Sequence, residues 1–259
     1  MRRALGFSLV IVIALFVGEV RFAFAGESQA VLELKFAAQE GDVEAMFQLG
    51  GMYVYGFGVE KNAKKGLTFL EAAMERGNTD AMVFIGQMYL EGLDVERDVK
   101  KSIAYLEKAA EKDNAYAMRE FGILYSIGLE KDLENPDDQG IDKDVKKAEE
   151  WFAQYMEKGG SYAMLDVASM YAGGAYVEKD EKKAIALWEK AAEMGNAKAM
   201  LELGMLYADG DFLVEKYLTK AREWLAKGAE VDDEEWAEIA KELLEELEGE
   251  EELEGKDGE

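Results

Sequence analysis

The side chains that could do chemistry in this chain are mainly carboxylates. Of its 259 residues, 55 are Asp or Glu and 30 are Lys or Arg, whereas histidine and cysteine are absent. A Ser-His-Asp or Cys-His nucleophile, a thiolate redox centre and the common zinc sites all need imidazole or thiolate groups. The composition excludes those classes of site. We therefore predict no catalytic residue, no metal ligand and no cofactor, and a non-enzymatic protein.

Carboxylates alone leave one enzymatic alternative open. Two acids about 5–10 Å apart, one of them with a raised pKa, are sufficient to hydrolyse a glycosidic bond. Nothing in the sequence singles out such a pair among so many acids. A carboxylate-dependent glycan or peptidoglycan hydrolase remains an alternative.

An acidic segment at 130–144 (EKDLENPDDQGIDKD) contains the single proline of the chain, Pro136. It is predicted to be a solvated loop inserted between two helices. Asp137, Asp138, Asp142 and Asp144 could supply oxygen ligands to Ca²⁺, but the residue order of an EF-hand is missing. A calcium-dependent structural module is the second alternative.

The formal charge of −25 bears on the class of partner. Phosphate backbones and anionic membrane surfaces attract cationic proteins, and a strongly acidic chain lacks the necessary excess of Lys and Arg. The charge therefore argues against a nucleic-acid partner.

The N-terminus has the pattern of an export signal. Arg2 and Arg3 precede an apolar run of thirteen residues at 5–17, and Ala23-Phe24-Ala25 follows. A membrane-spanning helix needs roughly 20 apolar residues, whereas a secretory signal needs about 7–15 and an A-x-A cleavage site. We predict a cleaved signal peptide at 1–25, a periplasmic or secreted bacterial protein, and no stable membrane anchor after cleavage.

An internal repeat dominates the remainder of the chain. The pair Ala-Met recurs with spacings of 36, 36, 46 and 36 residues, and its alanines are Ala45, Ala81, Ala117, Ala163 and Ala199. Counted from each alanine, offset five is Gly or Ala, offset eight is Tyr and offset eleven is Gly. Offsets one, four, five and eight share one face of a helix. Each unit therefore begins with an amphipathic helix that ends near the glycine at offset eleven.

The second half of each unit predicts another helix. A basic residue, an aromatic or leucine pair and small residues recur in the same order, as in Phe69-Leu70 before Ala72-Ala73. Gly77-Asn78 and Gly195-Asn196 suit a left-handed helix end followed by the next N-cap. The small residue at offset five predicts close packing of the two helices.

This pattern resembles the Sel-1-like repeat family, the 36-residue relatives of tetratricopeptide repeats. The resemblance implies an all-α fold, a right-handed α-solenoid of stacked helical hairpins. It covers five repeats at 45–230, preceded by a half repeat at 26–44 that reads as a lone second helix. It also implies a protein-interaction function, in bacteria often in envelope regulation, assembly or polysaccharide export. Penicillin binding, linked to cysteine-rich members, is not expected for a chain without cysteine.

Two further segments follow the repeats. Apolar residues in 231–248 recur at helical spacing and predict a capping helix that covers the last hydrophobic face. The acidic residues at 249–259 have almost no apolar side chains, which predicts a disordered tail.

A partner is expected on the face formed by offsets three, six and ten, which change between copies; we call this face the first-helix stripe. In tetratricopeptide-like solenoids the first helices line the concave side, so by analogy the stripe is a groove for a peptide or helix of a partner protein. Its N-terminal end, with Tyr55 and Phe84 as an exposed aromatic pair, is predicted to bind apolar residues, and its C-terminal end basic ones. The alternative is that some of these side chains pack against the next hairpin. The predicted groove residues are Gln48, Tyr55, Phe84, Gln87, Glu91, Glu120, Asp166, Ser169, Glu202 and Asp209.

Overall fold

The structure is a computed structural model that describes residues 28–131, 140–210 and 217–256. Within these ranges the chain forms eleven α-helices. They are α1 (Gln29–Gln39), α2 (Val43–Tyr55), α3 (Ala63–Glu75), α4 (Thr79–Glu91), α5 (Val99–Ala110), α6 (Ala115–Ile127), α7 (Val145–Gly173), α8 (Glu181–Glu193), α9 (Ala197–Asp209), α10 (Leu218–Ala229) and α11 (Glu234–Lys256).

The helices pair into five consecutive hairpins, which confirms the predicted all-α stack. The first, second and fifth hairpins are α2–α3, α4–α5 and α9–α10. Helix α7 is interrupted at Gly160, whose φ of 61° and ψ of −142° are not helical. The part of α7 before Gly160 completes the third hairpin with α6, and the part after it begins the fourth, which α8 completes.

Every hairpin is closed by the same backbone hydrogen bond. The carbonyl of the tyrosine at offset eight accepts a bond of 2.7–3.0 Å from the N–H of the residue that precedes the second helix. The pairs, acceptor first, are Tyr53 with Asn62, Tyr89 with Asp98, Tyr125 with Asp144, Tyr171 with Asp180 and Tyr207 with Tyr217. The third pair is separated by nineteen residues instead of nine or ten, and the bond is unchanged. The ten extra residues of the third repeat therefore leave the hairpin geometry intact.

The repeated glycines have the two predicted functions. At offset eleven, Gly56, Gly92 and Gly174 end their helices in the left-handed conformation, which favours glycine. At offset five the lack of a side chain permits close packing. A Cβ on Gly50 would lie 2.6 Å from Leu70, and one on Gly122 would lie 2.5 Å from Phe152.

Side chains also cap the first helices in a repeated way. The predicted Asn78 and Asn196 caps are confirmed, because each accepts a hydrogen bond from the N–H of the alanine at offset zero. Asp42 and Asn114 cap the first helices of their repeats in the same manner. In the fourth repeat the junction at Gly160 takes the place of such a cap.

A lysine of each second helix lies over the ring of the offset-eight tyrosine of its own hairpin. The distances from Nζ to the ring centroid are 4.2–5.1 Å. The pairs are Lys65 on Tyr53, Lys101 on Tyr89, Lys147 on Tyr125, Lys183 on Tyr171 and Lys220 on Tyr207. The basic residue that the sequence repeats therefore has a structural contact with the ring that the sequence also repeats.

The two ends of the stack differ. Helix α1 packs on α2 through its buried Val31 and Ala38, within the predicted half repeat. At the other end α11 packs on α10 and α9. The helix runs to Lys256, so the predicted end at 248 is wrong, as is the disorder predicted for 249–256. Glu, Leu and Lys are good helix formers and continue the helix past Leu247, the last of its residues that is shown to be buried.

Several predictions fall wholly or partly outside the described residues. The signal peptide at 1–25 lies wholly outside them, as do residues 26–27 of the half repeat, 132–139 of the loop predicted at 130–144, 211–216 of the fifth repeat and 257–259 of the tail predicted at 249–259. No helix in the described part of the chain is long and apolar enough to cross a bilayer.

Candidate partner-binding surface

The first helices of neighbouring repeats contact one another along the first-helix stripe. Tyr55 of α2 lies against Phe84 of α4, with ring centroids 5.8 Å apart. Arg119 of α6 binds Asp166 in the fourth repeat, with Nε 2.5 Å from Oδ2. Between the second and third repeats, Gln87 donates a hydrogen bond to Glu120. Side-chain contacts therefore connect the first helices from the first repeat to the fourth.

The predicted exposed aromatic pair at the N-terminal end is not present. Phe84 is only 6% exposed, because its ring lies between Phe47 and Tyr55. It also lies over Gly51, where a Cβ would be 3.6 Å from the Phe84 ring. Phe84 therefore belongs to the packing between repeats, and Tyr55 is half-buried beside it.

Burial and charge act together at this end of the stripe. Burial raises the pKa of the Tyr55 hydroxyl to about 12, and the nearby carboxylate of Glu91 adds to the shift. Partial removal from water raises the pKa of Glu91 as well. The Tyr55 hydroxyl and the Glu91 carboxyl are thus neighbouring polar groups among largely apolar side chains.

The centre of the stripe is a polar cluster around Arg119. Besides its bond to Asp166, Arg119 places Nη1 3.4 Å from Oε1 of Glu120. The hydroxyl of Tyr155, from the second helix of the third repeat, donates to Oδ2 of Asp166 at 3.3 Å. The pKa of Tyr155 is raised, mainly by burial and then by the charge of Asp166. Asp166 is thus held by a cation and a phenol at once.

Glu120 lies deepest in this cluster. Burial raises its pKa, although the charge of Arg119 and a hydrogen bond from Gln87 act in the opposite direction. The side chain of Glu120 is 15% exposed, so the carboxyl is largely removed from water. Of the predicted groove residues, Gln87, Glu120 and Asp166 therefore come together in one interrepeat cluster.

The remaining predicted residues lie apart from that cluster. Gln48 donates to Glu44 one turn earlier on α2, at 3.1 Å. The hydroxyl of Ser169 donates to the carbonyl of Leu165 in its own helix. Glu202 is half-buried on α9 and Asp209 is exposed near its end. These side chains remain accessible, but they do not join into one site.

Sequence reasoning missed three residues of this surface. Arg119 lies at offset two, beside the stripe. Tyr116 and Tyr162 lie at offset minus one, one helical turn before offset three, and are 50% and 75% exposed. Their signal in the sequence was the replacement of the acids Glu44 and Asp80, at the same offset, by tyrosine.

The predicted calcium ligands do not form a cluster in the described residues. Asp144 accepts a hydrogen bond from the N–H of Lys147 and thereby caps α7. Asp142 is exposed, and Asp137 and Asp138 lie outside the described residues. Among the residues that the structure describes, no group of three or more acids is arranged to hold a metal ion.

The chain resembles several solved structures. It is 29% identical to a Sel1 repeat protein from Oxalobacter formigenes, over 77% of this chain and 78% of that one, with a TM-score of 0.53. It is 26% identical to a protective antigen present in uropathogenic Escherichia coli strains that displays the SLR fold, with a TM-score of 0.51. That match covers 79% of this chain but only 42% of the antigen. An immunity protein of Pseudomonas aeruginosa, 20% identical over 84% of this chain and 73% of that one, shares the fold at a TM-score of 0.50.

No match to a curated protein was found. The family model of the Sel1 repeat matches five segments, 43–78, 79–114, 136–154, 161–196 and 197–233. Sel1 repeat proteins generally serve as scaffolds for protein–protein interaction, and the fold is of a non-enzymatic scaffold type. Four of the matched segments each contain both helices of a hairpin, and the third contains only the start of α7. Together the five segments cover more than half of the chain, so the protein belongs to the Sel1 repeat family.

Proposed function

We propose that this protein is a non-enzymatic periplasmic scaffold that holds a peptide or helix of a partner protein along its first-helix stripe. The observation that carries the proposal is the continuity of the stripe. Its side chains meet across repeat boundaries at Tyr55–Phe84 and at Gln87–Glu120. Arg119, beside the stripe, binds Asp166 across the next boundary. A continuous face of this kind suits an elongated ligand that spans several repeats.

The contrast between constant and variable offsets supports this use of the stripe. The alanine at offset zero is buried in every repeat, and the carbonyl of the tyrosine at offset eight closes every hairpin. At offsets three, six and ten the accessible side chains include Gln, Glu, Asp and Ser in different copies. Differences between copies at accessible positions are what recognition of a non-repetitive partner requires.

The export pattern at 1–25 supports a periplasmic location as part of this proposal. The processes proposed for the partner are envelope regulation, assembly or polysaccharide export. Cell fractionation tests the location. We expect the protein in the periplasmic fraction with Gly26 at its N-terminus. Recovery of the full-length chain in the cytoplasm would contradict it.

Capture from periplasmic extract tests the stripe itself. The bait is the mature chain, compared with a double charge reversal on the stripe, Glu202→Lys with Asp209→Lys. The matched control reverses two exposed acids of second helices, Glu107→Lys with Glu193→Lys. We expect a protein captured by the mature chain and by the control to be lost with the stripe variant.

The two kinds of negative result have different meanings. If the mature chain captures no protein, the scaffold function is contradicted. If the same proteins are captured by all three baits, binding takes place elsewhere and the use of the stripe is contradicted.

A further inference from the structure

Tyr116 and Tyr162 are the starting point for a more specific statement about the ligand. Tyr162 is 75% exposed and Tyr116 is 50% exposed, although large aromatic side chains are usually well covered in folded proteins. Both occupy offset minus one, in successive repeats, on the face that continues into Glu120 and Asp166 one turn later. We call offset minus one together with the first-helix stripe the first-helix face. The two exposed rings lie at the centre of this face, and we call them the aromatic step.

The charges around this aromatic step are mostly negative. The exposed or half-buried acids on the same helix face are Glu44, Asp80, Glu91, Glu202 and Asp209. Two cations lie near them, and both have partners. Arg119 is bound by Asp166 and Glu120, and Lys198 lies 5.8 Å from the centroid of the Trp236 ring. A ligand on this face therefore meets uncompensated negative charge on both sides of two tyrosine rings.

We propose that the first-helix face binds an extended protein segment that carries lysine or arginine, with its cationic side chains over Tyr116 and Tyr162 and near the flanking acids. This inference rests on the proposed function and specifies the chemistry of the ligand. Charge complementarity supplies the attraction, and the negative face of a tyrosine ring accepts a cation within about 6 Å. The chain already makes this contact inside each hairpin, where a lysine lies over the tyrosine at offset eight.

The geometry of the stack sets the spacing of the cations. Packed helices lie about 8–10 Å apart, and an extended chain rises about 3.3 Å per residue. Three residues of an extended segment therefore span about one repeat. The preferred segment has a cationic residue at about every third position, so that successive cations meet successive repeats.

Binding of defined peptides by the full mature chain tests this inference. The probe is an acetylated and amidated dodecapeptide of four Lys-Gly-Ser units. One comparison peptide has the same composition with its four lysines contiguous, and the other replaces every lysine by glutamate. Isothermal titration calorimetry at low salt is expected to show binding of the spaced peptide, weaker binding of the contiguous one and none of the glutamate peptide. Raising the ionic strength is expected to weaken binding because salt screens exposed charges.

A tyrosine variant with a matched control assigns the site. Tyr116→Ala with Tyr162→Ala is expected to weaken binding of the spaced peptide by about tenfold, since each exposed cation–π contact contributes modestly. The control is Tyr217→Ala, which removes a tyrosine of 52% exposure at the start of α10, away from the first-helix face. This control is expected to bind as the parent does.

Several outcomes would overturn the inference. The first two are binding of the glutamate peptide, or of the contiguous peptide, as tightly as the spaced peptide. The others are unchanged binding by the variant Tyr116→Ala with Tyr162→Ala, or self-association of the parent that this variant abolishes. If the mature chain captures a stripe-dependent partner but does not bind the spaced peptide, the ligand chemistry is wrong and the scaffold function stands. If neither is observed, both proposals fail.

Discussion

At the scale of single residues, the packing of the repeats depends on positions at which no side chain is present. Gly122 and Phe152 show this clearly, because the ring occupies the volume in which a side chain at offset five would lie. Gly51 is less crowded, because a Cβ there would lie 3.6 Å from the Phe84 ring, which is an ordinary van der Waals distance. The closest packing at these glycines is therefore within a hairpin, and the contact between hairpins at Gly51 is looser.

Gly122→Ala is therefore expected to be destabilising. The new Cβ would lie 2.5 Å from Cε1 of the buried Phe152, and overpacking of a core typically costs about 1–3 kcal/mol. The control Gly173→Ala adds a Cβ with nothing within 4 Å at the end of α7, and it is expected to be neutral or slightly stabilising. Urea unfolding measures both. Equal free energies of unfolding for the two variants would contradict the packing argument.

Glu120 gives a prediction about pH. Its pKa in the folded protein is raised above the ordinary value of 4.5, mainly by burial, so the folded state binds this proton more tightly than the unfolded state does. The stabilisation is fully present below about pH 4.5 and is lost as the pH rises through the raised pKa. The variant Glu120→Gln lacks this pH dependence. The free energy of unfolding of the variant, relative to that of the parent, is therefore expected to increase from pH 4 to pH 7.

Urea unfolding at several pH values between 4 and 7 measures the difference. Glu107→Gln, at an exposed position of α5, is the control and is expected to follow the parent at every pH. If the free energies of unfolding of Glu120→Gln and the parent differed by the same amount at every pH in this range, the raised pKa of Glu120 would be contradicted.

At the scale of elements, the helix caps differ in how far they reach. Asn62 is exposed and accepts one hydrogen bond, from the N–H of Lys65. Asn114 is buried and also donates to Thr79 Oγ1 at 2.8 Å and to Asp80 Oδ1 at 2.7 Å. Asn114 therefore connects the third repeat to the second, in addition to capping the N-terminus of α6.

Asn114→Ala is expected to cost more than Asn62→Ala. Loss of a cap costs about 1 kcal/mol, and two further hydrogen bonds contribute about 0.5–1.5 kcal/mol each. The expected losses are thus about 2–4 kcal/mol for Asn114→Ala and about 1 kcal/mol for Asn62→Ala. Thermal and urea unfolding of both variants checks the order, and a similar cost for the two would show that the contacts between repeats contribute little.

The elements were predictable from sequence because their determinants recur. Five copies of Ala, Tyr and Gly at fixed offsets indicate helix faces and ends more reliably than any single copy does. The partner surface was less predictable. Variation between copies at offset three does not distinguish Glu120, which accepts a hydrogen bond from Gln87, from Phe84, which lies over Gly51. That distinction depends on contacts between positions about 33 residues apart, which the repeat pattern does not contain.

At the scale of the whole molecule, stability is expected to depend on neighbours alone. Each hairpin contacts mainly the hairpins before and after it. In such a stack the loss of a terminal element affects the adjacent repeat most strongly. Helix α11 is the terminal element here, and it covers α10 with its buried Ala237 and Ala240.

Truncation after Asp233 is therefore expected to act locally. Hydrogen exchange followed by mass spectrometry is expected to show loss of protection in α9 and α10, while α2 and α3 exchange as in the parent. The untruncated protein is the reference. Uniform loss of protection along the chain would contradict nearest-neighbour stability and would indicate a single cooperative unit.

The hairpin closure in the third repeat has a consequence for how this sequence can change. Tyr125 and Asp144 make the same backbone bond as their counterparts, with ten more residues enclosed between them. Leu129 and Ile141 are joined by a pair of backbone hydrogen bonds inside that closure. We therefore expect that the residues between them can be lengthened, shortened or exchanged with little change to the helices on either side. Natural variation can thus alter this segment independently of the stack, and a foreign epitope or tag grafted there would be displayed by an otherwise unaltered protein.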